Sequence, residues 1–249
     1  EVATTNVGID FTILKNKISG SLDWYNKNTT DMLFRYSVSA SLVPGGSIWA
    51  NGGSINNKGV ELSLNATPVA TKKLTWNTTF NIASNKNEIT SLLGPYANGD
   101  SIRYSDPEGP GQTGATLQLL KVGKPIGQFF SLRYAGKDQN GVSTFYKRDG
   151  TTTNNPAIGT DYFYVGDAQP KLLMGWSNSV RYGNWDLNIF LRGVFGNKIF
   201  NATRADLSYT LAAAQNNILN SAKGDKITDN RNSYYSTRYI ESGNYVRLD

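Results

Sequence analysis

The sequence contains neither cysteine nor histidine in its 249 residues. Without cysteine the chain can form no disulfide framework and no thiolate metal site. Without histidine it lacks the side chain that most often acts as a general base or transition-metal ligand. No run of about 18 apolar residues occurs, which excludes a transmembrane helix, and no signal peptide opens the chain. These absences argue against most classes of enzyme.

The charged residues give a formal net charge of +6. Lysine and arginine are scattered mostly singly and form no clustered stripe, so we expect no nucleic-acid partner. Aromatic residues make up 12% of the chain, with 14 Tyr, 10 Phe and 5 Trp. This balance suits the aromatic girdle of a membrane protein or a surface that stacks on sugars.

The segment from Lys171 to Phe195 has the pattern of a β-hairpin. Two alternating arms flank the turn residues Gly183 and Asn184, and most of the intervening positions are polar. The apolar series is Leu172, Met174, Trp176, Val180 and Tyr182 in the first arm, and Trp185, Leu187, Ile189 and Leu191 in the second. One face of the hairpin is therefore apolar and the other largely polar.

The same pattern recurs at residues 6–25, with a turn at Lys15–Lys17, and at residues 58–83, with a turn at Thr67–Lys73. Arms of about eight to eleven residues match the length of a tilted strand that crosses an outer membrane. Long polar excursions near 26–57, 84–170 and 197–238 follow on one side only. The fold class predicted is all-β, a segment of an antiparallel transmembrane β-barrel with long extracellular loops.

A soluble sheet with one wet face would show the same alternation. A soluble extracellular β-sandwich that binds carbohydrate is therefore the alternative prediction. Its apolar faces would pack against each other, and it would stay monodisperse without detergent.

Within the excursions the sequence predicts both loops and short elements. Residues 26–58 are predicted to form a long outer loop, and the chain is predicted to leave the strand at Asn85. Strands are predicted at Leu117–Leu120 and Gln128–Ala135, with a small hairpin from Tyr134 to Tyr146. A structureless loop of this length is improbable, so we expect a compact subdomain.

The last excursion contains the one helical pattern that we predict. It covers Ala205–Ala222, and Gly224 stands where a helix stop is expected. Tyr239–Asp249 is predicted to begin the next strand.

Six blocks, in this order, resemble the SusC/RagA-type TonB-dependent transporters. They lie at Asn57–Leu62, Ser84–Ile89, Val122–Phe130, Gly166–Lys171, Gly193–Asn201 and Arg238–Leu248. The resemblance implies part of one barrel domain of about 22 strands in the cell outer membrane. It implies that the N-terminal plug domain, the TonB box and the C-terminal strands are absent from this chain.

The resemblance also implies a function and partners. It implies non-enzymatic, TonB-dependent import of glycan oligosaccharides or peptides, together with a SusD-like surface lipoprotein. The TonB complex would act through the missing N-terminal part, and outer-membrane lipid would contact the apolar face. No cofactor is expected.

Five aromatic residues in the excursions are candidate ligand contacts, because flat amphipathic rings can stack on sugars or contact a lid. Packing within the loops is the alternative for each of them. They are Trp49, Tyr96, Tyr104, Tyr234 and Tyr235. Four further tryptophans, Trp24, Trp76, Trp176 and Trp185, lie on apolar strand faces and are predicted to anchor the chain in lipid.

Two polar groupings could support other chemistry. Asp106 and Glu108 could act as a glycosidase pair, although neighbouring loop carboxylates are usually only solvated. Asp138, Asn140 and Asp149 faintly resemble a calcium loop, but their spacing differs from the EF-hand pattern and the bidentate glutamate is missing. We predict a plain turn for the 138–149 loop, with a structural calcium ion as the alternative.

Overall fold

The computed structural model describes residues 1–92, 101–104, 116–208, 217–225 and 235–249. Its first four strands are β1 Val2–Ile13, β2 Ile18–Ser37, β3 Ser47–Ala70 and β4 Leu74–Ser91. All four pair antiparallel with their neighbours in sequence. The hairpins predicted at 6–25 and 58–83 are thus confirmed, with short turns between β1 and β2 and between β3 and β4.

Strands β2 and β3 are much longer than predicted. Their pairing continues from Asn26 opposite Lys58 up to Ser37 opposite Ser47, so the prediction of a loop over 26–58 is wrong. Strand β4 likewise continues beyond Asn85 to Ser91. The polar composition was misleading because a backbone ladder needs no apolar side chains, and propensity yields to cross-strand context. Asn56 Nδ2 donates to both Asn26 Oδ1 and Asn28 Oδ1 at 2.6 Å.

Two irregularities interrupt this long hairpin sheet. The β2–β3 register shifts between Thr29 and Met32, where Asp31 has a φ of 55°. The β3–β4 register shifts between Ala66 and Val69, which accommodates Pro68 at a bulge, where its missing N–H removes no ladder bond.

The described residues of the excursion after β4 contain seven short strands. They are β5 Ser101–Tyr104, β6 Gln118–Lys121, β7 Gln128–Leu132, β8 Tyr134–Lys137, β9 Ser143–Tyr146, β10 Thr152–Thr153 and β11 Tyr162–Asp167. One sheet has the order β11-β7-β6-β5 and another the order β10-β9-β8. The predicted strands and the small β8–β9 hairpin are confirmed. Buried side chains concentrate here, including Leu132, Phe145 and Tyr162.

The chain then returns to the large sheet through β12 Leu172–Tyr182 and β13 Trp185–Phe195. This is the hairpin predicted around Gly183 and Asn184, and it is confirmed residue by residue. Strand β12 pairs with β4 on its other side.

The last part of the chain contains β14 Lys198–Phe200, α1 Ala202–Leu207, α2 Asn220–Asp225, β15 Ile240–Ser242 and β16 Tyr245–Leu248. Strand β15 pairs with β14, whereas β16 pairs with β13. The predicted final strand is therefore divided at Gly243 and Asn244. The large sheet has the order β1-β2-β3-β4-β12-β13-β16.

The predicted continuous helix over Ala205–Ala222 is wrong. Residues 217–219 are not helical, α1 begins at Ala202, and Gly224 lies inside α2. Asn201 caps α1 by accepting a 2.8 Å hydrogen bond from Arg204 N, and Asn is a preferred residue at a helix N-cap. Residues 209–216 lie outside the described part. Neither of the two helices in the described part has the length and hydropathy needed to cross a membrane.

The large sheet has two chemically different faces. The face that carries Val7, Trp176 and Trp185 is here called the apolar face. It remains exposed: Val7 is 60% exposed, Trp176 42% and Trp185 79%. In the described residues no second sheet is paired or stacked against this face. The buried clusters belong to the excursions and to the strand ends next to them. An exposed apolar surface this continuous is a membrane or partner surface rather than a soluble one.

Candidate functional site

The opposite face of the large sheet, here called the polar face, is built from the alternate residues of each strand. The observed register places these residues in rows across the sheet. One row contains Gly8, Asp23, Glu61, Ala83, Leu173, Val194 and Tyr245, and the next contains Asp10, Ser21, Ser63, Asn81, Gly175, Arg192 and Arg247. A groove of about 470 Å³ follows these rows.

Charge is segregated along the polar face. Asp23 lies directly opposite Glu61 on neighbouring strands, and Arg192 lies directly opposite Arg247. Like charges placed opposite each other destabilise a sheet unless a counter-charge is present. Asp249 supplies it for the arginines, at 3.3 Å from Arg192 Nη2 and 2.5 Å from Arg247 Nε.

Apolar side chains separate the acidic and the basic parts of the groove. Leu173 and Phe190 both line it and are 47% and 40% exposed. The groove therefore offers an acidic end, an apolar middle and a basic end. Such a surface suits a zwitterionic or polar partner rather than a lipid.

A smaller pocket of about 260 Å³, here called the upper pocket, lies on the same face, closer to the excursions. It is lined by Thr29, Met32, Ile55, Asn57, Asn87, Ile126 and Gln169. Asn87 Oδ1 accepts a 2.7 Å hydrogen bond from Ile126 N, which fixes the orientation of the Asn87 side-chain amide. Amide and hydroxyl groups around an apolar floor can bind neutral polar ligands such as sugar hydroxyls or peptide groups.

The structure places the predicted aromatic contacts in different environments. Trp49 is 63% exposed on β3, so ligand contact stays a prediction for it. Tyr104 is half-buried against the cluster of Ile55 and Ile89, its hydroxyl accepts a 3.1 Å hydrogen bond from Gly127 N, and burial raises its pKa. Tyr104 therefore packs within the excursion, and ligand contact stays a prediction for it.

Tyr235 is 2% exposed. It packs edge-on against Phe200 with ring centroids 5.3 Å apart, in a cluster with Leu117 and Phe129. Its ring is therefore packed within the protein, and ligand contact stays untested for it. Tyr96 and Tyr234 lie outside the described residues, as do Asp106 and Glu108.

The carboxylates of the 138–149 loop close turns. Asp138 Oδ1 accepts 2.9 Å hydrogen bonds from Asn140 N and Val142 N. Asp149 accepts from Thr151 N and Thr151 Oγ1 and pairs with Lys147 at 3.1 Å. The hydrogen bonds from Thr151 and Lys147 lower the pKa of Asp149 to about 2. No group of three carboxylates able to hold a metal occurs in the described ranges, and the calcium alternative stays untested.

The four predicted anchoring tryptophans lie in strands of the large sheet. Trp24 is 42% exposed on the apolar face. Trp76 and Trp176 also use their indole N–H groups, with Trp76 Nε1 donating to Asn178 Oδ1 at 3.1 Å and Trp176 Nε1 donating to Thr78 Oγ1 at 2.8 Å. Satisfied N–H groups leave the rings free to face an apolar medium.

Sequence reasoning did not identify the charged rows or the upper pocket. Asp23, Glu61 and Arg192 each stand at a polar strand position, which alternation alone reveals. Their grouping depends on register across strands that are distant in sequence, and bulges shift that register.

Comparisons with known proteins agree with this architecture. No family model matches the chain. It is 28% identical over 269 residues to TonB-dependent receptor P3 of Formosa agariphila, covering 98% of this chain and 26% of the relative. It is 29% identical over 258 residues to TonB-dependent receptor SusC of Bacteroides thetaiotaomicron, covering 100% of this chain and 25% of the relative.

Solved structures show the same fold. The RagAB peptide transporter superposes with a TM-score of 0.78 at 21% identity, covering 100% of this chain and 28% of the transporter chain. The closed-closed state of the RagAB peptide importer gives a TM-score of 0.79 at 21% identity, with the same coverage. The chain spans about a quarter of the length of these relatives. The predicted resemblance is confirmed: along its whole length this chain is similar to part of the barrel of the SusC/RagA-type TonB-dependent receptors.

Proposed function

We propose that this chain forms part of the barrel wall of an outer-membrane importer that is driven by TonB. The observation that supports this most is the pairing of an exposed apolar face with a polar, charge-segregated face on one antiparallel sheet. A wall between lipid and an aqueous lumen uses both faces at once. The similar proteins are TonB-dependent receptors, and receptors of that class are outer-membrane proteins.

The vertical extent of the apolar face fits a membrane. In β13 the outward series runs from Trp185 to Phe195, 11 residues that would span about 25 Å along the normal of a bilayer at the usual strand tilt. Above it, the outward side chains become polar at Asn26 and Lys58, one step beyond Trp24 and Val60. The upper boundary of the lipid layer would lie there.

The imported ligand is proposed to be an oligosaccharide or a peptide. The upper pocket and the groove both offer neutral polar groups beside apolar surface, which suits either class. One structural neighbour is described as a peptide transporter. A SusD-like surface lipoprotein would cover the excursions, and the plug and TonB contact would belong to the larger part of such receptors that this chain does not span.

The β-sandwich alternative requires a second layer over the apolar face. Val7, Ile9 and Leu187 are 54–63% exposed on that face. The described residues therefore favour the barrel.

The first experiment uses the native full-length protein in its own host. Membrane fractionation should place it in the outer membrane, and affinity purification should recover a surface lipoprotein with it. Deleting the gene should abolish growth on a subset of oligosaccharides or peptides, and deleting tonB should reproduce that loss.

A water-soluble, detergent-independent monomer would contradict the proposal and favour the sandwich module. Growth that is unaffected by loss of either gene on every substrate would contradict the import function while leaving the location intact.

A further inference from the structure

Strand β11 is an edge strand on the excursion. It stands at the end of the four-stranded sheet and pairs with β7 on one side. Among the described residues no strand pairs with its other side. The outward-pointing N–H and C=O groups of an edge strand are a template for another extended chain. Phe163, Tyr164 and Val165 form its middle and are half-buried or exposed.

Two arginines flank Phe163 on one face of this edge. The guanidinium carbons of Arg133 and Arg148 lie 5.4 and 4.7 Å from the Phe163 ring centroid. Arg133 also lies 5.0 Å from the ring of Tyr146, and Arg148 Nε donates to Thr160 O at 3.4 Å. Stacking holds a guanidinium in place while its N–H edge stays able to bind a carboxylate.

A lysine occupies the equivalent place on the other face. Successive strand residues point to opposite faces, so Tyr164 lies on the face opposite Phe163. Lys124 Nζ lies 5.0 Å from the Tyr164 ring centroid, and Tyr164 is 38% exposed. The edge of β11 therefore carries preorganised cations on both of its faces.

These three cations have no carboxylate partner in the described part of the chain. The nearby acids are engaged elsewhere: Asp149 pairs with Lys147, and Asp161 Oδ2 accepts a 2.9 Å hydrogen bond from Ala157 N. At the end of β11, Asp167 Oδ1 accepts a 3.0 Å hydrogen bond from Gln169 N. Interfaces are enriched in arginine and aromatic residues, which this edge combines. Positive charge on both faces disfavours pairing with a basic strand and complements an acidic one.

We propose that the β11 edge binds an extended acidic peptide by strand addition. The peptide backbone pairs with Phe163–Val165, an acidic side chain on one face meets Arg133 and Arg148, and one on the other face meets Lys124. Two like-charged guanidinium groups on one ring select for carboxylates, and the strand edge selects for a peptide backbone. This inference rests on the proposed function only for the origin of the peptide, which would be a segment of the surface partner that covers the excursions.

The test uses the purified full-length protein in detergent, and fluorescence anisotropy with a labelled peptide of about eight residues, long enough to cover a strand edge. The peptide carries glutamates at consecutive positions, so that both faces are acidic. Matched probes replace Glu by Gln, or keep Glu and N-methylate alternate backbone amides. A labelled oligogalacturonate tests acidic sugars.

The variant is Arg133→Gln with Arg148→Gln. Its control is Arg35→Gln with Arg181→Gln, which removes the same charge from two strands of the large sheet. Thermal unfolding and heat-dependent gel mobility check that both variants are folded.

We expect the acidic peptide to bind the parent protein and the control, and to bind the arginine variant roughly tenfold or more weakly, because charge-assisted hydrogen bonds are lost. The Gln and N-methylated peptides should both bind weakly.

Equal binding to the variant and control would overturn the inference, as would equal binding of the N-methylated peptide, since strand addition needs the backbone N–H groups. Binding of oligogalacturonate in place of the peptide would overturn it too. Each result is independent of whether the protein reaches the outer membrane or imports a nutrient, which fractionation and growth measure separately.

Discussion

The side chain of Tyr25 crosses the backbone of Gly59 and reaches Asn85 on the next strand. The Tyr25 hydroxyl accepts a 2.6 Å hydrogen bond from Asn85 Nδ2. A Cβ atom at position 59 would lie 2.7 Å from Tyr25 Cζ and 2.7 Å from the backbone oxygen of Ser84. Gly59 is therefore the position at which one aromatic side chain joins β2, β3 and β4 on the polar face. An aromatic ring over a strand glycine is a known device for fixing register.

Replacing Gly59 by Ala should destabilise the barrel by about 1–3 kcal/mol, the usual cost of overpacking. The backbone oxygen of Ser84 cannot move aside without breaking the β3–β4 ladder. Urea unfolding of the full-length protein in lipid vesicles measures the change.

Gly175→Ala is the matched control, because a Cβ there would meet Phe190 at an ordinary 3.5 Å. A Gly59→Ala protein as stable as the Gly175→Ala protein would show that Tyr25 and Gly59 do not fix the register.

The hairpins of the large sheet were predictable because the sequence pattern that indicates them is local. The alternation of Leu172, Met174 and Trp176 has period two, and the turn at Gly183 and Asn184 fixes the register of that hairpin. The strand pairing of residues 26–37 and 47–57 was not predictable, because Asn, Thr, Ser and Gly interrupt the apolar residues there and no continuous alternation remains.

The burial of Tyr235 was not predictable from its neighbours in sequence. Its backbone oxygen accepts hydrogen bonds from Leu132 N at 3.3 Å and Ser131 Oγ at 2.6 Å, about 100 residues earlier in the chain. Long-range contacts of this kind decide burial in loops. They also explain why the candidate site had to be found from the structure.

Neighbouring residues of β13 provide a test of the two faces. Ile189 lies on the apolar face between Leu187 and Leu191, and Asn188 lies on the polar face. Ile189→Arg should cost about 2–4 kcal/mol near the bilayer midplane, because lipid cannot solvate the charge. Folding into vesicles, followed by gel mobility and urea titration, measures this cost.

Asn188→Arg should be tolerated, because a lumen would hydrate the charge. Equal costs at both positions would mean that both faces are buried in protein, as in a sandwich. The two substitutions therefore test the barrel independently of transport.

The turn after β8 offers a test of the calcium alternative for the 138–149 loop. Asp138 Oδ1 accepts hydrogen bonds from two backbone N–H groups, those of Asn140 and Val142. Asp138→Ala should raise the exchange rates of these amides by roughly fivefold, since each lost bond is worth about 1 kcal/mol. Hydrogen exchange with mass spectrometry on the full-length protein measures the rates.

We expect calcium to leave the exchange of the parent protein unchanged, because turn hydrogen bonds already engage the Asp138 and Asp149 carboxylates. Slower exchange in the 138–149 loop on adding calcium, and its loss in Asp138→Ala, would establish the metal site instead. Asp186→Ala, in the distant hairpin turn, is the control.

The pairing of α1 with β15 should depend on pH through Glu241. Arg204 Nη1 lies 2.8 Å from Glu241 Oε1, and Asn201 Nδ2 donates to Glu241 Oε2 at 3.1 Å. The hydrogen bonds from Arg204 and then Asn201 lower the pKa of Glu241 below its ordinary value of 4.5. A lowered folded-state pKa means that the ionised form stabilises the contact. That stabilisation is complete above pH 4.5 and is lost as the pH falls through the lowered value.

Hydrogen exchange in α1 should therefore accelerate below pH 4.5, after correction for the intrinsic pH dependence of exchange. Glu241→Gln should remove this acid-induced change, because the amide does not titrate. Glu88→Gln, which alters an exposed pair with Lys86, should leave it intact. If the Glu241→Gln protein kept the full acid response, the carboxylate would not be the group that couples α1 to β15, and the change would have to arise from other carboxylates of the last excursion.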